Sequence, residues 1–452
     1  MFAGTSRGIL RIVVAGTLVV LATGCLCPTV RPDPSPVRAG YNPVELVDLE
    51  GQCDQHLLLD PNALFGVAER VRQSQQTMPP ATRRSVLALS GGGSYGAYSA
   101  GVLVGWTKAG TRPKFDVVTG ISTGSLIAPL AFLGPDRDAD LTVLYTTLRE
   151  RDLFRFKRSL RSLLSDAIAD NSPMRKKIDA MVTPDLLRAI AAEHAKGRRL
   201  YVGTTELDSN RQVVWDMGAI AARGGADDIE LFRSVLLASS SIPGFFPPVN
   251  IPVTVDGRTL VERHVDGGVS AAVFFRPPFV PPEERDANGE PVKHALAGSD
   301  LYIIVAGKLY ADPQEVSRRA IFIAGNSVTA LIFAQTRGDL MKLYTATVLT
   351  GMNYHLTAIP PAFQVNSSST DFDPAEMSRM FDEGVRQAME GTVWRSTPPG
   401  LEKGEGVSER VGTRLTVVPL GVPRPPGPRA TPILGRPWLM TGNGNPAGVP
   451  AK

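Results

Sequence analysis

A serine with glycine two residues to either side, Gly120-Ile121-Ser122-Thr123-Gly124, follows the short run Phe115-Asp116-Val117-Val118-Thr119. At a strand-to-helix bend such a turn projects the serine hydroxyl as a nucleophile. Earlier in the chain, Gly91-Gly92-Gly93-Ser94-Tyr95-Gly96 follows a second apolar run, Ser85 to Ser90. Backbone N–H groups converging at a glycine turn hold an anion. A nucleophile beside an anion cradle is the equipment of acyl transfer. The serine also needs a base. His56, His194, His264, His294 and His355 stand in no motif, whereas Asp266 lies at a predicted strand end in Asp266-Gly267-Gly268, where glycines permit close approach. His264, two residues before Asp266, is expected to point away from the serine.

The elements that position these groups follow from the spacing. Gly93 and Ser122 are 29 residues apart, room for one helix near 97–109 and one strand. The two turns therefore sit on consecutive parallel strands, side by side at their C-terminal ends. An α/β-hydrolase would interpose further βα units; one with Ser122, Asp266 and His355 in that chain order is the competing enzyme reading. The serine is followed by a predicted helix over 126–133 that contains Pro129. Strands are predicted at 200–205, 212–216 and 301–305, with one more ending at Val265-Asp266. Helices are predicted at 229–239, stopped by Pro243-Gly244, and at 321–349. Asp373-Pro374-Ala375-Glu376 reads as a capping box opening another helix. Apolar residues at 153, 156, 160, 164 and 168 form a helical stripe ringed by Arg151, Arg155, Lys157, Arg158 and Arg161. That pattern reads first as a core-facing helix with solvated charges, and second as a contact for an anionic lipid surface.

The 452 residues are 43% hydrophobic and 20% charged, with a net charge of +4, ample for a core and too weakly basic to imply nucleic acid. Arg7 and Arg11 precede the apolar stretch Ile12 to Leu21, and small residues Ala22 and Gly24 precede Cys25, as in a signal peptide. Cys27 and Cys53 are the remaining cysteines, and they either pair in an oxidising compartment or stay as thiols. Scattered histidines and three cysteines give no metal-ligand spacing, so neither metal nor cofactor is expected. The sequence leaves the oligomeric state open.

In order and spacing, Gly91-Gly92-Gly93-x-x-Gly96, Gly120-x-Ser122-x-Gly124, the block Ser239-Ser240-Ser241-Ile242-Pro243-Gly244-Phe245-Phe246-Pro247-Pro248 and Asp266-Gly267-Gly268 resemble the patatin-like phospholipase family. The resemblance implies an α/β fold, a three-layer α/β/α sandwich with a mainly parallel central sheet. It implies lipid ester hydrolysis by a Ser–Asp dyad without histidine, Ser122 as nucleophile and Asp266 as base. Gly91, Gly92 and Gly93 would form the oxyanion hole, with Gly96, Gly120, Gly124, Gly267 and Gly268 as supporting glycines. The chain departs from the family at Tyr95, often Arg or Lys there, at Ala272, often Asn, and at the bulkier Ile121. A catalytically silent lipid- or partner-binding protein is the reading from another class.

The N-terminus resembles a bacterial lipoprotein signal, which implies a diacylated Cys25 and a place in the cell envelope, the outer membrane favoured because Leu26 is not aspartate; simple export without the lipid is the alternative. The expected organisation is a signal peptide (1–24), a proline-rich tether (25–43), a helical extension (44–82), the catalytic domain (83–310), C-terminal helices packed on the core (311–396) and an irregular tail (397–452).

Overall fold

The computed structural model describes residues 83–157, 166–255, 258–275, 296–312, 319–401 and 405. The expected signal peptide, Cys25, Cys27, Cys53, the tether, the 44–82 extension, most of the 276–298 loop and nearly all of the tail lie outside the described residues.

The first apolar run forms β1 (Ser85–Leu89), the glycine turn leads into α1 (Gly96–Lys108), and the second run forms β2 (Val117–Gly120) before α2 (Thr123–Leu133). β1 and β2 are parallel neighbours, Val86 opposite Val117 and Leu89 opposite Gly120, so both glycine turns open on one end of the sheet as their spacing required. On the far side of β1 lie β9 (Asp300–Val305) and then β10 (Asn353–Ala358), both parallel. β5 (Arg199–Glu206) pairs in parallel with β2. β6 (Arg211–Asp216) and β8 (Arg258–Asp266) run antiparallel to β5, and β7 (Val249–Val255) pairs with β8 as a hairpin.

The register around β5 positions the site. Val202 pairs with Gly120 of β2 and with Trp215 of β6, while Thr204 pairs with Asp266 of β8 and with Val213 of β6. β2 and β8 therefore share one edge of β5 and meet there end to end, with only Gly203 between the two pairings.

The sheet is covered on both faces, as a mainly parallel sheet must be. Alternate residues of β1 divide between two cores. Leu87 and Leu89 pack with Tyr98 and Leu103 of α1 and with Phe381 of α10 (Pro374–Glu390). Val86 and Ala88 pack with Leu340 and Leu343 of α9 (Ala320–Thr350). This is the three-layer α/β/α sandwich expected from the sequence. No helix among the described residues is long and apolar enough to cross a membrane.

Three local expectations need correction. The stripe from Asp152 is not one helix. Helix α4 (Glu150–Leu153) stops at Leu153, Phe154 is extended, and β3 (Arg155–Phe156) pairs antiparallel with β4 (Ala169–Asp170). Asp373 caps α10 through Ala375 N–H, but Glu376 does not close the box. Its carboxylate accepts from Asn366 N–H at 2.9 Å and pairs with Arg379. The segment 311–396 supplies a strand, β10, as well as helices.

Candidate active site

Ser122 sits between β2 and α2 with φ 52° and ψ −123°. Among the described residues only Asn210 is another non-glycine with positive φ. Such a conformation costs about 1–3 kcal/mol and persists only where its surroundings dictate it. Here they do. A Cβ on Gly120 would lie 2.4 Å from the Gly124 carbonyl oxygen, and one on Gly124 would lie 2.6 Å from that of Leu89. The Ser122 N–H donates to Ser239 Oγ at 3.0 Å, and the Ser239 hydroxyl donates to the Gly203 carbonyl at 2.7 Å. Ser125 donates to the Ser122 carbonyl from both N–H and hydroxyl, at 2.9 and 2.6 Å. Ser239 ends α8 (Ala226–Ser239) and is fully buried. Its role was not legible in the sequence, where it appeared only within the Ser-Ser-Ser block.

Asp266 closes β8 and meets Ser122 across the gap on the edge of β5. Its N–H donates to the Ser241 carbonyl at 2.9 Å, and its Oδ1 accepts the Gly268 N–H at 2.7 Å. Gly267 lies so close to β5 that a Cβ would fall 2.5 Å from the Gly203 carbonyl oxygen. Burial pushes the Asp266 carboxyl up to about 6, against the opposing effect of hydrogen bonds from the Ser122 hydroxyl and the Gly268 N–H. The result is a carboxylate in contact with the serine and more basic than an exposed aspartate.

The glycine turn lies beside the serine, a Gly91 Cβ falling 3.2 Å from Ser122 Cβ. Gly93 has φ 56°, and a Cβ on Gly92 would come within 1.9 Å of the Ala306 carbonyl oxygen. The three amides are not equivalent. Gly91 N–H, expected as an oxyanion donor, donates instead to the Ala272 carbonyl at 3.1 Å. Gly92 and Gly93 N–H have no acceptor among the described residues. The Ala272 N–H in turn donates to Asp339 of α9 at 2.9 Å, so the position where the family often has asparagine is a backbone link between the glycine turn and α9. Gly96 lets α1 start against α2, since a Cβ there would meet Thr123 Oγ1 at 2.2 Å. Tyr95 does not supply a cation; its hydroxyl donates to the Ser367 carbonyl at 2.7 Å.

The histidines among the described residues stand apart from this arrangement, while His56 and His294 lie outside the described residues. His264 shares a strand face with Asp266, because residues two apart point the same way; the expectation that it points to the other face is wrong. What separates it from the serine is its own bonding. It is fully buried, with Nδ1 at 3.0 Å from Thr204 Oγ1 and Nε2 at 3.0 Å from Glu262. His355 lies on β10, separated from β2 by β9 and β1, stacked on Tyr302 with Nε2 at 2.9 Å from Asp300. At about 4.8 Å per strand it is roughly 14 Å from the serine strand, and the Ser–Asp–His alternative fails on that distance.

Ser122 and Gly93 border a cleft that is partly open to solvent. Its walls are chiefly apolar, with Leu126 and Tyr145 on the serine side and Phe154, Phe245 and Phe246 opposite. Ring centroids in that aromatic group are 4.7–5.7 Å apart. Lys177 is the one charged residue lining the cleft among the described residues. An apolar cleft of this kind suits an apolar ligand that buries most of its surface there.

The sandwich thus brings a serine elbow, a glycine turn and a buried aspartate together at one end of its sheet. Residues 87–279 match the model of the patatin-like phospholipase family. The match supports lipid acyl hydrolysis in general. The crystal structure of VipD from Legionella pneumophila is similar at a TM-score of 0.36, with 13% identity over 69% of this chain and 67% of that one. That likeness is loose. No curated protein matches the chain.

Proposed function

We propose that the chain is a lipid acyl hydrolase that cleaves carboxylic esters of phospholipids or related lipids through an acyl-enzyme on Ser122, with Asp266 as the base. The observation that carries this reading is the strained Ser122 beside a buried Asp266 at the end of an apolar cleft. Asp266 takes the hydroxyl proton as Oγ attacks the ester carbonyl. Gly92 and Gly93 N–H receive the oxyanion, a contribution of about 3 kcal/mol per donor in comparable sites. Asp266 then protonates the leaving alcohol, and with Asp266 as base, water cleaves the acyl-enzyme to release the fatty acid. Ionised aspartate is a weaker base than imidazole, and burial raises its proton affinity in compensation.

The same reading extends to the N-terminus. A diacylated Cys25 would hold the enzyme on an envelope membrane, with Pro28 to Pro43 as spacer. The decisive experiment assays phospholipid, lysophospholipid, acylglycerol and short-chain esters with the parent chain beside Ser122→Ala. Serine-dependent release of fatty acid supports the proposal. A folded parent chain inert on every ester rejects it in favour of a silent lipid-binding protein.

A further inference from the structure

The wall of the cleft opposite the serine continues outward into an exposed rim. Phe156 of β3 is 54% exposed, yet its ring centroid lies 5.4 Å from Phe154 and 5.8 Å from Phe245, both of which line the cleft. The hairpin that carries it is tied to the cleft wall by Ala169 N–H donating to the Phe245 carbonyl at 2.9 Å and Ile168 N–H to that of Gly244 at 3.3 Å. The ring thus rests on the cleft wall on one side and extends that apolar wall to the protein surface.

The exposed charge on the elements around this ring is mostly basic. Arg149, Arg151, Arg155 and Lys176 are exposed and form no salt bridge among the described residues. Lys177 reaches from α5 (Ser172–Met181) toward the cleft, held loosely by Asp152 at 3.9 Å. The acids nearby are engaged: Asp152 accepts from Arg149 N–H, Asp166 sits 3.8 Å from Lys157, and Asp170, opposite Arg155 in the hairpin, accepts from Ser172. Only Glu150 is exposed without a salt bridge.

From this juxtaposition we infer that the rim formed by Phe156, Arg151, Arg155 and Lys176 is a docking surface for an anionic phospholipid surface, which it holds at the mouth of the acyl cleft. The inference rests on the proposed lipid substrate. The ring enters the headgroup–acyl boundary, the cations meet phosphates, and the continuous aromatic wall leads one lipid's acyl chain inward from Phe156 past Phe154 and Phe245 to Ser122. The exposed cations Arg149, Arg151, Arg155 and Lys176 on the neighbouring elements favour an anionic surface over a purely hydrophobic partner.

The test separates docking from catalysis. Binding is measured by co-sedimentation of the full chain carrying Ser122→Ala and Cys25→Ser with vesicles of phosphatidylcholine, alone or mixed with phosphatidylglycerol. Neither hydrolysis nor acylation at Cys25 then contributes. Binding should be tighter on the mixed vesicles and weaken with salt. Arg155→Glu should weaken it about tenfold, and Lys176→Glu by a similar factor. Phe156→Ser should weaken binding to both vesicle types. In the otherwise unmodified chain, Arg155→Glu and Lys176→Glu should hydrolyse a dissolved short-chain ester at the parent rate while slowing on mixed vesicles. Equal binding by the parent and all three variants, or indifference of the parent to phosphatidylglycerol, overturns the docking surface. Vesicle binding without hydrolysis of any ester by the otherwise unmodified chain rejects the proposed activity and leaves the docking surface standing.

Discussion

Ser239 and Ser122 are 117 residues apart in sequence, yet the Ser239 hydroxyl accepts the N–H of Ser122 while donating to the Gly203 carbonyl. One buried hydroxyl thus fastens the strained elbow to β5, the strand whose edge also holds Asp266. Removing it leaves both the Ser122 N–H and the Gly203 carbonyl without that partner in a buried site.

Ser239→Ala should therefore lower kcat by roughly ten- to a hundredfold with little change in KM, since a displacement of about 1 Å at a nucleophile is enough for that. Stability should fall by about 1–3 kcal/mol. Steady-state kinetics beside a denaturant melt check both, and an unchanged kcat would remove Ser239 from any positioning role.

Ser122→Ala and Asp266→Asn should each reduce turnover by several orders of magnitude, and the double variant should lose little more, because nucleophile and base act as one unit. His355→Ala should retain turnover. A folded His355→Ala enzyme without activity would falsify the dyad.

Activity should depend on ionised Asp266. With its carboxyl near 6, kcat/KM on a dissolved ester should rise through pH about 6 and level above it. Stability should move the other way. Between the ordinary carboxylate range and about 6, the folded chain keeps a proton that the unfolded chain has lost, so stability falls as pH rises through that window. Asp266→Asn removes this titration and should gain on the parent by about 3 kcal/mol above the window and by nothing below it. Paired melts across pH test the sign.

Gly124→Ala should damage fold and activity together. The added methyl would lie 2.6 Å from the Leu89 carbonyl oxygen and 2.7 Å from that of Ser90, and overpacking of that kind costs about 1–3 kcal/mol. A lowered melting temperature with a proportionate loss of kcat is expected. Parent-like values for both would mean that the elbow can shift away from β1.

Mass spectrometry of the membrane fraction should find acyl chains on Cys25 as the mature N-terminus. An unmodified Cys25 in a soluble mature chain would remove the lipid anchor from the proposal.

The catalytic turns were legible because sterics write them into the sequence: only glycine fits where Gly120 and Gly124 meet neighbouring carbonyls, and 29 residues hold one crossover. Other features depend on partners that no local pattern names. Nothing around Ser239 indicates that its hydroxyl will meet Ser122, and nothing in the glycine turn indicates that Ala272 will occupy the Gly91 amide. β10 was missed because Asn353 to Ala358 follows α9 after two residues and takes its pairing partners from the distant β9 and, at Leu356, from Arg395. The spacing of Leu153 and Phe156 suggested a helix. Instead Leu153 is buried in α4 while Phe156 stands exposed on a strand.

The end-to-end meeting of β2 and β8 on β5 has a consequence for biosynthesis. A chain emerging from N- to C-terminus carries Ser122 long before it carries Asp266, and the two come together only after β5 has formed the edge they share. An unfinished or partly folded copy therefore holds a nucleophile without its base. On the proposed mechanism, hydrolysis of lipid esters would begin only once β8 is seated on β5.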